Sequence, residues 1–335
     1  MNTRPALNPA TRQASATGRS ACSAALMVLL LGASVSAGTA AEPVPARSVR
    51  DFLDSIGVCT HIGQGIDDPS RTAAALAYVG IRNLRDDGSS RHVQDWIAVH
   101  AQTGVRVVLT ASGPDDRTRT SLLRMSRELA AAGALLALEG PNEPNNWAVT
   151  YHGQQSRADA TFLPVAQWQQ ALYAAAKNDP VLKHYPVFHS SEAGGAEPDN
   201  VGLQFLAIPP DAATLMPSGT RYADFANVHN YICRKPQIID NMAWLNADPV
   251  FRGWSDGLYV EYGKTWRKGF AGYSDADLRR LPRVTTETGW VTGGKGLTEE
   301  QQGRLYLNLY LAQFKQRFKY TFIYMLRDAG GSDSG

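Results

Sequence analysis

The feature that most constrains this chain is an alternation of short apolar segments with amphipathic helical segments, repeated about eight times. The apolar segments cover 56–61, 81–85, 105–110, 135–139, 186–190, 225–229, 283–287 and 320–326. Most of them do not alternate apolar with polar residues, which is typical of strands buried on both faces of a parallel sheet. Parallel neighbours need a crossover connection, and the intervening helical segments supply it.

The segments between these strands carry helix signals. Asp67 and Asp68 precede Pro69, an acidic cap followed by proline at the first helical position. Thr298 and Gln301 have capping-box spacing and open a helix predicted to run to about Phe318. Further helices are predicted over 73–79, 92–103, 120–132 and 165–176.

The alternation predicts an α/β fold, specifically a (β/α)8 TIM barrel, which typically takes about 250 residues. A doubly wound open sheet is the alternative. No G-x-G-x-x-G phosphate loop follows the first strand, which disfavours the nucleotide-binding version of that alternative.

Residues 1–41 are predicted to be a signal peptide and leader. Three arginines come before any acidic residue, and an apolar run over 24–33 has the length of a signal h-region. Small residues offer cleavage after Ala37 or Ala41. An uncleaved anchor is the alternative. The sequence therefore predicts a periplasmic or secreted protein in which residues 42–335 form a single catalytic barrel.

Net charge and cysteine content limit the kinds of binding partner and metal site that the chain can have. The formal charge of +2 becomes −1 without the three leader arginines (2 − 3), so nothing favours binding to nucleic acid, or to a membrane after signal cleavage. Cys59 and Cys233 follow the leader and lie on strands one and six, so we expect buried free thiols rather than a disulfide. Neither has the spacing of a structural zinc site. The sequence indicates no oligomeric state.

Two long loops and the chain end depart from a minimal barrel. The stretch 191–224 is rich in proline and glycine, and 232–282 carries Trp244, Trp254 and Trp266. Aromatic side chains there either line a sugar groove or pack a loop subdomain. No eighth helix is evident after the last strand, so we expect either a truncated chain or another segment covering that surface.

Two sequence motifs each place a carboxylate where a predicted strand meets turn residues. Glu143 lies in Leu-Glu-Gly-Pro-Asn-Glu-Pro-Asn over 138–145, and Glu287 lies in Val-Thr-Thr-Glu-Thr-Gly-Trp over 284–290. Cleavage of a glycosidic bond uses two carboxyl groups on opposite sides of one sugar carbon. These two are 144 residues apart (287 − 143), so only a fold that gathers distant strand ends can pair them.

Asn142-Glu143-Pro144 after the fourth strand and Thr286-Glu287-Thr288-Gly289-Trp290 after the seventh resemble the retaining glycoside hydrolases of clan A. The bacterial branch of glycoside hydrolase family 39, which includes exopolysaccharide-degrading endoglycosidases, is the most similar, over about 56–328. The resemblance implies a β-linked polysaccharide or oligosaccharide substrate, endo action, no cofactor and no metal. It also implies that Glu143 is the general acid/base and Glu287 the nucleophile.

Other residues are candidates for substrate contact or for tuning the carboxylates. Arg85 resembles the strand-two arginine that lies near the nucleophile in this clan, although it could instead pair with Asp86 or Asp87. Tyr231 is expected to donate to Glu287, and His229 to orient one carboxylate. The remaining candidates are sugar contacts: Asn142 to the 2-hydroxyl, and His61, Trp147 and Trp290 around it. For most of these residues, the alternative is a purely structural role.

Two more glutamates compete with the assigned pair. Glu139 lies four residues before Glu143, so both face the same side of the strand, and Glu139 is expected deeper in the barrel beside a basic residue. Glu192 follows strand five without a supporting motif.

Two other functions stay open. One is a non-catalytic carbohydrate-binding barrel, because fold does not fix function. The other is a metal-dependent hydrolase using His61, His229 and aspartates.

Overall fold

The computed structural model describes residues 46–88, 90–111, 113–144, 147–156, 163–191, 220–229, 231, 282–292, 297–315 and 317–327. The predictions about the leader, Glu192, Cys233, most of both long loops and the end of the chain lie outside the described residues. In the described ranges, no helix combines the length and apolarity needed to cross a bilayer.

Ten strands and six α-helices make up the described chain. The helices are α1 (Val49–Ser55), α2 (Pro69–Val79), α3 (Val93–Thr103), α4 (Asp116–Ala131), α5 (Leu163–Asn178) and α6 (Glu299–Lys315). The first five strands are β1 (Ile56–Cys59), β2 (Asn83–Asp87), β3 (Arg106–Ala111), β4 (Leu135–Pro141) and β5 (Thr150–Tyr151). The others are β6 (Gln154–Gln155), β7 (Val187–Phe188), β8 (Ala226–His229), β9 (Arg283–Thr288) and β10 (Phe318–Ile323).

Eight strands form one parallel sheet in the order β7-β4-β3-β2-β1-β10-β9-β8. The two end strands approach each other, because Phe188 of β7 forms a parallel bridge with Phe225, just before β8. The backbone N–H of His189 donates to the carbonyl of Phe225 at 3.0 Å. The sheet is therefore a nearly closed barrel, and its eight strands follow one another around it in the order of the sequence. This confirms the predicted TIM barrel, and the doubly wound alternative is wrong.

Local sequence signals explain where two helices begin. The Asp68 side chain accepts from the N–H of Arg71 at 2.8 Å, and Pro69 occupies the first position of α2. Thr298 and Gln301 exchange side-chain and backbone hydrogen bonds of 2.9 and 3.2 Å ahead of α6. Both predicted caps are confirmed.

Apolar side chains of the described residues form three clusters. One consists of Cys59, Val108, Leu136, Ala137, Phe188, Val284, Phe322 and Met325, and a small one beside α6 consists of Leu297, Leu305, Leu309 and Ile323. A larger cluster, including Leu84, Trp96, Leu109 and Trp168, packs the strands against the helices. Cys59 is a free thiol whose pKa is raised by burial, and its Sγ donates to the carbonyl of Thr286 at 3.3 Å.

The segment before β1 also packs on the barrel. Helix α1 contacts both β10 and α6, and the Phe52 ring meets Phe314 edge-on with centroids 5.3 Å apart. Part of the surface beside the last strand is therefore covered by residues that precede the first strand.

Gly57 leaves room for the Phe322 ring inside the barrel. A Cβ at position 57 would lie 2.3 Å from the Phe322 ring, so Gly57→Ala is expected to destabilise the fold by about 1–3 kcal/mol. Denaturant unfolding measures this. Gly303→Ala is the control, because its Cβ meets nothing within 4 Å and an alanine favours helix α6. Equal unfolding free energies for the two variants would contradict the packing described here.

Candidate active site

A cavity of about 740 Å³ opens at the carboxyl ends of the barrel strands. Ligand sites of TIM barrels form at this end, where the loops after the strands meet. Residues at or just after seven strands line it, including Cys59, Arg85, Asp86, Thr110, Asn142, Glu143, Tyr231, Glu287 and Tyr324.

Glu143 and Glu287 face each other across the cavity floor. Glu143 follows β4 with a φ of 41°, and Glu287 is the penultimate residue of β9. Their side chains are 13% and 10% exposed, and a carboxylate oxygen of one lies within 4.8 Å of an oxygen of the other. The two acids separated by 144 residues (287 − 143) therefore share one site.

His229 lies beneath both carboxylates. Its Nδ1 is 2.7 Å from Oε1 of Glu143 and 3.5 Å from Oε2 of Glu287. The imidazole is fully buried, so it contacts the acids rather than the open cavity. The expectation that His229 orients a carboxylate agrees with this placement, whereas direct contact with a sugar does not.

Glu287 is held by two donors on its own side of the cavity. Arg85 Nη1 donates to Oε1 at 2.5 Å, and the Tyr231 hydroxyl donates to Oε2 at 2.8 Å. Burial, reinforced by the charges of Glu287 and Glu143, raises the pKa of Tyr231, so this hydroxyl keeps its proton. Glu287 therefore accepts hydrogen bonds from a cation and from a hydroxyl that keeps its proton.

Glu139 fixes the guanidinium of Arg85. Its two oxygens accept from Nε and Nη2 of Arg85, both at 2.9 Å, and Asn142 Oδ1 accepts from Nη2 at 2.7 Å. Burial alone would lower the pKa of Arg85, but the charges of Glu139 and Glu287 outweigh it and raise that pKa. Glu139 thus lies beside a basic residue, as expected, and Arg85 pairs with Glu139 and Glu287 rather than with Asp86 or Asp87.

Asp86 ties the loop after β1 to the site. Its carboxylate accepts from the Thr60 hydroxyl at 2.6 Å and from the N–H of Ile62 at 2.9 Å. Burial raises the pKa of Asp86 to about 8, although hydrogen bonds from Thr60 and Gly63 act against that rise. Sequence reasoning considered Asp86 only as a partner of Arg85, because nothing local shows that it anchors a distant loop.

The aromatic and histidine candidates divide between the cavity and the core. His61 lines the cavity, with Nε2 3.3 Å from the Tyr324 hydroxyl. Trp147 also lines it and is 63% exposed. Trp290 instead packs with Leu305, Leu309 and Ile323 near α6 and is not among the residues lining this cavity.

One group of described residues has donor atoms close enough to surround an ion, namely Glu143, His229 and Glu287. Arg85 already binds Glu287, and His229 shares a hydrogen bond with Glu143, so we interpret the group as hydrogen-bonded side chains. Neither His61 nor an aspartate joins it in the described part of the chain. Within the described ranges, His61, His229 and aspartates therefore do not come together as a ligand set.

No family model and no curated protein matches this chain. Among solved structures it is similar to a glycoside hydrolase family 17 β-1,3-glucanosyltransferase from Rhizomucor miehei, with a TM-score of 0.50 and 12% identity over 83% of this chain and 88% of that one. It is also similar to Saccharomyces cerevisiae Gas2p in complex with laminaripentaose (TM-score 0.48, 14% identity, 80% and 56% covered). A third is an endo-β-1,4-mannanase from Thermotoga petrophila (TM-score 0.44, 11% identity, 81% and 67% covered).

At these sequence identities the similarity shows only the fold, and this conclusion rests on the alignment with the Rhizomucor miehei structure. This chain spans 56% of the length of Gas2p, so it matches only part of that protein. The barrel fold is thus shared with the Rhizomucor miehei structure, while the site has to be argued from its own residues.

Proposed function

We propose that this protein is a retaining glycosidase acting within β-linked polysaccharides, with Glu143 as general acid/base and Glu287 as nucleophile. The observation that carries the proposal is the approach of the two carboxylates to within 4.8 Å over one buried imidazole. Retaining enzymes hold their carboxyl groups about 5–5.5 Å apart, whereas inverting enzymes separate them by about 6.5–9.5 Å to admit a water molecule.

The surroundings of the two acids support this division of roles. Glu287 has the cation Arg85 and the donor Tyr231 and is therefore suited to attack as a carboxylate. Glu143 meets the imidazole of His229, with Nδ1 2.7 Å from its Oε1, so it is the acid suited to carry a proton.

The reaction then proceeds in two steps. Glu287 attacks the anomeric carbon while the bond to the leaving oxygen breaks, and Glu143 delivers its proton to that oxygen. Glu143, now ionised, takes a proton from water, which displaces Glu287 and releases a sugar of the original configuration.

The cavity supports a polymeric substrate. It is open at the barrel mouth, and Trp147 lies four residues after Glu143 on the side that donates the proton. An exposed indole face suits stacking against a sugar ring, so Trp147 would hold the sugar of the leaving group.

We further propose that the protein is exported to the periplasm or the medium, because of its predicted leader. We also propose that it belongs to the bacterial branch of family 39, because of its two glutamate motifs.

Hydrolysis of defined polysaccharides tests the proposal. Laminarin, β-mannan and bacterial exopolysaccharides are incubated with the protein, and NMR follows the anomeric configuration of the first product. We expect a β-configured reducing end. An α-configured first product would contradict the retaining mechanism, and binding without cleavage would favour the carbohydrate-binding barrel.

Tyr231→Phe removes one of the two donors to Glu287 while keeping the ring. We expect kcat/KM to fall about 10–100-fold, because one hydrogen bond to a charged group contributes about 1.5–3 kcal/mol. Tyr78→Phe is the matched control, since Tyr78 is 92% exposed on α2. Steady-state kinetics of the two variants should differ by that factor, and equal rates would count against a catalytic contact.

A further inference from the structure

The hydroxyl of Thr286 meets three side chains under the cavity floor. Its Oγ1 is 3.0 Å from Glu139 Oε1, 3.0 Å from Asn227 Oδ1 and 3.0 Å from Nε2 of His229. Thr286, Glu139 and His229 are completely buried, and Asn227 is 1% exposed. The network therefore has to satisfy its own donors and acceptors.

The available donors and acceptors determine the direction of the hydrogen bonds around Thr286. Glu139 is a carboxylate held by Arg85 and can only accept. Asn227 donates its Nδ2 to the carbonyl of His189 at 3.2 Å, so its Oδ1 is the atom that faces Thr286. Thr286 has one hydrogen, and both acceptors compete for it.

The hydrogen of Thr286 thus points away from His229, and an oxygen lone pair points toward Nε2. A hydrogen bond at 3.0 Å then requires the hydrogen on Nε2. In a neutral imidazole with its hydrogen on Nε2, Nδ1 is an acceptor. Nδ1 lies 2.7 Å from Glu143 Oε1, so in this neutral tautomer that contact is a hydrogen bond only when Glu143 carries the proton.

We propose that Thr286 is a positioning residue that fixes His229 in the Nε2–H tautomer and thereby keeps a proton on Glu143. The inference rests on the proposed function, because it explains how Glu143 is held ready as the proton donor. It makes the residue next to the nucleophile control the protonation of the acid on the opposite side of the site.

The other titratable groups around the two acids do not replace this control. Arg85 is turned toward Glu287 and Glu139. Burial raises the pKa of Tyr231 and of Cys59, and burial with the Glu287 charge raises the pKa of Tyr324 to about 12. These three groups stay uncharged near neutral pH, so none of them replaces His229 as the hydrogen-bond partner of Glu143.

Nitrogen-15 NMR of histidine-labelled protein reads the tautomer directly and needs no substrate. The His229 signals are assigned from their absence in His229→Gln. We expect the wild type at pH 7 to show a protonated Nε2 and an unprotonated Nδ1 at His229. A hydrogen on Nδ1, or on both nitrogens, would overturn the proposal.

Thr286→Val removes the hydroxyl and keeps the shape of the side chain. The population of the Nε2–H tautomer is expected to fall about tenfold relative to the Nδ1–H tautomer, the factor of one lost buried hydrogen bond. Thr286→Ser should restore the wild-type ratio. Thr321→Val is the control, because its hydroxyl bonds Gln313 on the far side of the sheet.

An unchanged tautomer in folded Thr286→Val, or a shift of the same size in Thr321→Val, would refute the positioning role. Should the valine variant not fold, the wild-type spectrum still decides the tautomer. A protein that shows the Nε2–H tautomer but cleaves no glycan would leave this assignment standing and remove the proposed function, so the two failures are distinguishable.

Discussion

Glu287→Gln is expected to lower kcat about 10⁴-fold or more, because the amide cannot form the covalent bond on which the first step depends. The fold should survive, since Arg85 keeps its two hydrogen bonds to Glu139. Thermal unfolding should shift by no more than about 4 °C. Glu300→Gln is the control, because Glu300 is exposed at the start of α6 and remote from the cavity.

Chemical rescue separates a nucleophile from a residue that only shapes the site. In Glu287→Ala, azide can occupy the space of the lost carboxylate and attack the same face of the sugar. On an aryl β-glycoside, the product would be an α-glycosyl azide. Near-wild-type turnover in Glu287→Gln, or a β-glycosyl azide from Glu287→Ala, would contradict the assignment.

Glu143→Gln is the second large effect. We expect kcat/KM on a polysaccharide to fall about 10²–10⁴-fold, since no group then protonates the leaving oxygen. Substrates with an acidic phenol as leaving group should lose far less in the first step, because that oxygen leaves without a proton. Comparing the polysaccharide with a dinitrophenyl glycoside measures the difference.

The same variant should also give a distinctive rescue product. With Glu143→Ala, azide would attack the glycosyl-enzyme from the side of the missing acid and yield a β-glycosyl azide. Equal losses on both leaving groups would show that Glu143 is not the proton donor. The opposite configurations from the two alanine variants would together define the two sides of the site.

Much of the fold could be predicted because its signals are local. Buried parallel strands read as continuous apolar runs, and caps such as Asp68 and Thr298 act within one turn of helix. Strand limits were less accurate: β7 covers only Val187–Phe188, where 186–190 was expected. The hairpin of β5 and β6 was missed, because two-residue strands leave no periodicity to detect.

Only the site residues that lie in or beside recognisable sequence motifs could be predicted. Glu143, Glu287, Arg85 and Tyr231 were placed at strand ends, and the barrel brings those ends together. The contact of Glu139 with both Arg85 and Thr286 depends on three separate strands. No spacing within one segment can reveal such a contact.

Trp290 is a candidate whose described contacts lie outside the cavity. It follows the Glu287 motif and was expected to face a sugar, yet it packs near α6, where Gln302 and the Tyr306 hydroxyl donate to its carbonyl. An aromatic residue beside an active-site motif has the same sequence signal whether it faces the cavity or the core.

Covalent trapping tests the central claim most directly. The protein is incubated with a 2-deoxy-2-fluoro β-glycoside of the sugar that the polysaccharide screen identifies, and the digested protein is mapped by mass spectrometry. We expect one glycosyl adduct, on the peptide that contains Thr286-Glu287-Thr288, with the fragment ions placing it on Glu287. An adduct on another carboxylate, or inactivation without any adduct, would contradict the assignment of Glu287 as the nucleophile facing Glu143.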